Sequence, residues 1–179
     1  AGGQFFNCNA TISSSLFSSN SANSNGGALF VESTPLTLNN NTFTSNQSAY
    51  SGGAIFIKDG NFSASGNSYQ ENSAGSSGGA VAVENGTWNE SFGKYLNNSS
   101  IYDGGALYLK NSVGSLSDSN FSANSNTNYN GGGALSLDGS SPFITGCNFT
   151  KNSTVSRYGG AIYMNSTSSP SMDRCSFVE

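Results

Sequence analysis

The 179 residues suffice for one domain of ordinary size or one array of small units. Ser, Asn and Gly supply 84 of them and Leu, Ile, Val and Phe only 34, yet a net charge of -4 is too small for a disordered segment kept open by its charge. Six Lys plus Arg argue against a nucleic-acid binder, the Gly, Ser and Asn content against a helical bundle, and no run of about 20 apolar residues offers a membrane-spanning helix.

Taken along the chain, the first recurrent element is Gly-Gly-Ala followed by an aliphatic residue. Its alanines are Ala28, Ala54, Ala80, Ala106, Ala134 and Ala161, spaced 26, 26, 26, 28 and 27 residues apart, with Gly2-Gly3-Gln4 as a degenerate earlier copy. The residues after them alternate: Leu29-Phe30-Val31, Ile55-Phe56-Ile57, Val81-Ala82-Val83, Leu107-Tyr108-Leu109, Leu135-Ser136-Leu137 and Ile162-Tyr163-Met164. First and third are always apolar, so a strand is predicted with those two inward and the middle one outward.

The second element is a short strand centred on Ile12, Leu38, Ala64, Glu90, Leu116, Ile144 and Met172. Five residues later comes the third, an aromatic followed at the third position by Asn: Phe17/Asn20, Phe43/Asn46, Tyr69/Asn72, Tyr95/Asn98, Phe121/Asn124 and Phe149/Asn152, with Phe177 opening a seventh copy. Two motifs holding one period define a repeat array. Asn20, Asn46, Asn72, Asn98, Asn124 and Asn152 form an expected ladder bonding corner backbone. The predicted fold is all-β: a right-handed parallel β-helix of about seven coils of about 26 residues, with three short strands per coil. Residues 1–179 form a single repeat array, expected to be a segment of a longer protein or a fibre subunit. Its ends show no cap, so copies of itself or neighbouring repeats are the expected partners end to end.

Four residues after each motif Ala stand Glu32, Lys58, Glu84, Lys110, Asp138 and Asn165. The alternating sign predicts an outward charge ladder. No His is present, and Asp103, Asp118, Asp138 and Asp173 occupy different coil positions. Stacking therefore assembles no acidic cluster; no catalytic residue, metal site or cofactor is expected.

Cys147 and Cys175 both precede the motif aromatic by two residues, one coil apart, which makes them a disulfide candidate against the alternative of two packed thiols. Cys8 has no partner at its own position. Asn-x-Ser/Thr acceptors occur at Asn9, Asn40, Asn61, Asn85, Asn89, Asn97, Asn120, Asn148 and Asn165, and at the ladder positions Asn46, Asn98 and Asn152. Phe30, Phe56, Tyr108 and Tyr163 share one outward column, expected as an exposed contact stripe for lateral packing or for stacking on sugar rings.

The pairing of Gly-Gly-Ala-Ile/Leu/Val with Phe-x-x-Asn resembles the repeats of the chlamydial polymorphic outer membrane proteins, and similar repeats of bacterial and protist surface proteins. The match to the first motif lies at Gly26–Leu29, Gly52–Ile55, Gly78–Val81, Gly104–Leu107, Gly132–Leu135 and Gly159–Ile162. Tyr69 and Tyr95 depart from its Phe. The resemblance implies a β-helical autotransporter passenger and an adhesin. The expected role is a non-enzymatic extracellular or cell-surface rod, serving as adhesin or structural fibre element, glycosylated, without inserting into a membrane, and meeting glycans or a surface receptor. The alternative is a polysaccharide-binding or polysaccharide-degrading β-helix of pectate-lyase-like type.

Overall fold

The computed structural model describes residues 3–128, 131–155, 159–165 and 167–179. Each strand in it pairs in parallel with its counterpart one coil away. The first sheet takes Gly3–Phe6, Leu29–Glu32, Ile55–Lys58, Val81–Glu84, Leu107–Lys110, Leu135–Asp138 and Ile162–Met164. The second runs from Ala10–Ser13 to Ser171–Asp173 and the third from Leu16–Ser18 to Ser176–Val178, each with seven strands among the described residues. The chain is a parallel β-solenoid of about seven coils.

A fourth sheet adds six two-residue strands, from Ser21–Ala22 to Ser153–Thr154. Only three strands per coil are expected from the sequence. Two residues are too few to show an alternating pattern, and Ser, Ala, Gln, Thr and Asn fill them. The irregular spacing also finds its place. Ser100 pairs with Asn126, a step of 26, while Leu107 pairs with Leu135, a step of 28. Two extra residues therefore lie in the corner between the fourth sheet and the first.

The inward columns follow the expected register. Leu29, Ile55, Val81, Leu107, Leu135 and Ile162 form one, and Ile12, Leu38, Ala64, Glu90, Leu116, Ile144 and Met172 another. The motif aromatics stack without interruption from Phe17 to Phe177, with ring centroids 4.4 to 5.4 Å apart. Parallel rings at this spacing follow from strands about 4.8 Å apart.

At most of the corners after the first three strands, a residue at positive φ turns the chain and the next residue's side chain caps the backbone of the coil before it; Gly60, Gly86 and Gly93 hold that place without a side chain. The ladder asparagines carry this out after the third strand. Backbone N and side-chain Nδ2 of Asn46 both donate to Asn72 Oδ1, at 3.0 and 2.9 Å, and Asn72 does the same to Asn98. From Asn46 to Asn152 each Nδ2 also reaches back to a motif aromatic carbonyl, as Asn72 does to Phe43 at 3.0 Å. A second, shorter ladder turns the chain after the second strand through Ser15, Asn41 and Asn67. Hydroxyls of Ser112, Ser140 and Ser168 cap the corner after the first strand.

The Gly pair has two separate causes. Gly52, its first member, turns at φ +68°. Gly53, its second, has no room for a side chain: a Cβ would lie 2.0 Å from the Gly79 carbonyl oxygen of the next coil.

Candidate functional site

The outward column of the first sheet is not an open stripe. Phe56 is 3% exposed, Ala82 0% and Tyr108 8%, and with half-buried Phe30 they make a second apolar cluster. The exposed contact surface expected there is thus corrected to a small outer core. One cause is the turn into the Gly pair, which crosses this face: a Cβ at Gly78 would lie 3.0 Å from Ala82 Cβ. Its position is fixed at Ser136, whose Oγ accepts hydrogen bonds from the backbone N–H groups of Gly104 and Gly132, each at 2.8 Å.

Ser136 also interrupts the aromatic column. It stands in register between Tyr108 and Tyr163. A recess of about 300 Å³ opens there, lined by Asp103, Tyr108, Ser136, Leu137, Asp138, Tyr163 and Asn165. Tyr108 Oη donates to Asp138 Oδ2 at 3.3 Å, and Asn165 Nδ2 donates to Asp138 Oδ1. Burial, and then the nearby Asp138 charge, push the Asp103 carboxyl above its ordinary range. Asp103 and Asp138 therefore do meet, although no acidic cluster is expected by stacking. They meet because Asp103 sits on the returning corner, not on a strand; strand columns could not reveal this. Asp118 and Asp173 are not in the recess.

A second polar group lies inside the core. Glu90, in the second-strand column, is 2% exposed. Tyr69 Oη donates to its Oε1 at 3.1 Å, Tyr95 Oη donates to its Oε2, and the Asn67 side chain adds a further hydrogen bond. Burial raises its pKa to about 7 against the pull of these donors. Gly93 makes the space, since a Cβ there would lie 2.8 Å from the Glu90 carboxyl carbon. The two departures from Phe, Tyr69 and Tyr95, thus have a cause: they are the hydroxyl donors to Glu90. The signal was present in the sequence as three irregularities in adjacent coils.

Of the charge ladder, Lys58 and Glu32 form an ion pair at 2.6 Å. Lys58 pairs in register with Glu84 on its other side, and Lys110 with Glu84 and Asp138. Eight of the nine acceptor sites outside the ladder, Asn9, Asn40, Asn61, Asn85, Asn89, Asn97, Asn120 and Asn148, are exposed. Asn165 is half-buried at the recess, while Asn46 and Asn98 are buried in their ladder and Asn152 is half-buried.

Cys147 and Cys175 continue the second-corner column on adjacent coils, and both are free thiols. Cys147 Sγ points to the Thr145 and Leu116 carbonyls, Cys175 Sγ to those of Asp173 and Ile144. Burial pushes the Cys147 thiol up to about 11. Cys8 is an exposed free thiol in a different corner. Among the described residues no three His, Cys, Asp or Glu side chains converge as metal ligands, and no helix is long and apolar enough to cross a membrane.

The Gly-Gly turn, the stacked aromatic and the Asn corner together are the structural content of the repeat. Three stretches of the chain match the Chlamydia polymorphic membrane protein repeat. They are residues 14–32, 42–58 and 146–165. The first two each join an aromatic–Asn corner to the Gly-Gly-Ala strand that follows it, and the third does so across the coil of Phe149 and Ala161. Neither a curated protein nor a solved structure gives a significant match.

Proposed function

We propose that this chain is a non-enzymatic β-helical rod displayed outside the cell or at its surface, serving as an adhesin or a structural fibre element. The observation that supports this is the repeat itself: a surface-protein repeat that stacks into a solenoid with the same corner ladders coil after coil. Such a stack makes a stiff rod whose length grows with coil number. Glycans on the exposed acceptors, with at most one of the neighbours Asn120 and Asn148, would coat its sides, and neighbouring repeats would extend it end to end. In an oxidising setting Cys147 and Cys175 would close a clasp between their coils.

Antibody against this chain should stain intact, unpermeabilised source cells. Staining only after permeabilisation would overturn surface display. Saturable binding of the purified chain to cells then marks an adhesin, and filaments without such binding mark a fibre element. Cleavage of a polysaccharide by the purified chain would overturn the non-enzymatic role.

A further inference from the structure

We propose that the Glu90 carboxyl is a pH-operated joint in the rod: when it ionises, the junction between its coil and the coil of Leu116 opens, while the junctions on the Tyr69 side stay closed. This stands whether the rod is an adhesin or a fibre element.

The geometry is that of a borrowed corner cap. In the corner after the second strand, a side-chain oxygen accepts from a backbone N–H of the coil before. Ser15 N donates to Asn41 Oδ1, Asn41 N to Asn67 Oδ1, and Gly93 N to Ser119 Oγ. Gly93 itself has no side chain to offer Asn67. The Glu90 carboxyl fills that place: a Cβ at Gly93 would lie 2.8 Å from its carboxyl carbon and 3.0 Å from both its oxygens. The Asn67 side chain donates into it, as Tyr69 and Tyr95 do. One corner of the stack is thus capped by a group that can ionise.

The two sides of that group differ. Asn67 and Tyr69 belong to the coil before, and Tyr95 to the coil of Glu90 itself. On the other side the register partner is Leu116, 2% exposed, and Phe121 stacks on Tyr95 with ring centroids 4.4 Å apart. A carboxylate here is held by donors toward one neighbour and meets hydrocarbon toward the other. None of its three donors is a cation, and Lys94, on the adjoining strand, is exposed on the outer face. A buried charge without a counter-charge is costly. Separating the Leu116 coil admits water to the carboxylate and leaves all three donors in place. In a stack whose units touch only their neighbours, such an opening stays local.

The direction in pH follows. Burial holds the folded pKa at about 7, and water returns it toward the ordinary 4.5, so opening grows as pH rises between those values. Tyr69, Tyr95 and Cys147 also face the Glu90 charge, but burial keeps all three protonated through neutral pH. Asp118, in the same corner of the Leu116 coil, is exposed.

The test is amide hydrogen exchange of the full chain by NMR from pH 5 to pH 8, corrected for the intrinsic exchange rate. Three equivalent amides report three successive junctions: Ser68 N–H donates to the Asn41 carbonyl, Lys94 N–H to that of Asn67, and Asn120 N–H to that of Gly93. Protection of Asn120 should fall by about ten-fold or more between pH 5 and pH 7. Ser68 and Lys94 should change by less than about two-fold. Glu90→Gln keeps the shape and removes the charge, and should make Asn120 protection independent of pH. If that variant does not fold, the three amides of the parent chain decide alone. Unchanged protection at Asn120, an equal loss at all three amides, a greater loss at Lys94, or a pH response at Asn120 that persists in folded Glu90→Gln would overturn the proposal.

Discussion

Each ladder asparagine serves two neighbouring coils at once. Asn72 accepts from Asn46 through one oxygen and donates from its amide both forward to Asn98 and back to Phe43. Asn72→Ala therefore strips the buried Asn46 N–H of its acceptor and should cost about 2–3 kcal/mol, read from the denaturant midpoint. Glu90 acts in the opposite sense. Its folded pKa of about 7 lies above the ordinary 4.5. Between those values the unfolded chain has released the proton and the folded chain still holds it. Stability should thus fall as pH rises from about 4.5 to about 7, by about 3 kcal/mol in all, and be flat above. Glu90→Gln should abolish that component of the slope; an unchanged slope would show that another group carries it. A third prediction concerns Asn120 and Asn148. They are register partners on adjacent strands, with a side-chain hydrogen bond of 2.9 Å between them. Two glycans cannot both fit at a spacing of about 4.8 Å. In a glycosylating host, mass spectrometry should find molecules modified at one of the two or neither, and not at both.

At the scale of the elements, close stacking of backbone decides what is tolerated. Gly53→Ala would place a methyl group 2.0 Å from the Gly79 oxygen and 2.5 Å from the Ser73 oxygen. Neither atom belongs to a flexible side chain, so a loss of about 3 kcal/mol or more is expected in thermal unfolding. Gly52→Ala should also destabilise, through φ rather than contact. The strand columns were legible in the sequence because period two and period 26 both leave marks on residue type. The ladder asparagines were legible for the same reason. The outer core around Phe56 and Tyr108 was not, since what buries it is a corner whose path no alternation records. Nor was the meeting of Asp103 with Asp138, which depends on that same corner. Ser15, Asn41 and Asn67 escaped notice because Gly93 and Ser119 continue their column without another Asn. Gly93 is the space that Glu90 requires.

For the whole molecule, the period explains how so polar a chain folds. A lone coil buries a handful of apolar side chains, each worth roughly 1.5–3 kcal/mol, against an ordering cost of roughly 1.5 kcal/mol per residue. Stacking lets every inner coil use its apolar and ladder side chains on two faces. The account therefore rests on register: position i over position i+26. It can be read chemically with paired cysteines in a chain whose native Cys8, Cys147 and Cys175 are replaced by Ser. Ser68 and Lys94 are register partners, and Lys94 in turn pairs with Asn120. Ser68→Cys with Lys94→Cys should form an intramolecular disulfide under mild oxidation, and Ser68→Cys with Asn120→Cys, two coils apart, should not. Cross-linking of the second pair as readily as the first, or failure of the first in a folded chain, would contradict the stacked 26-residue coil.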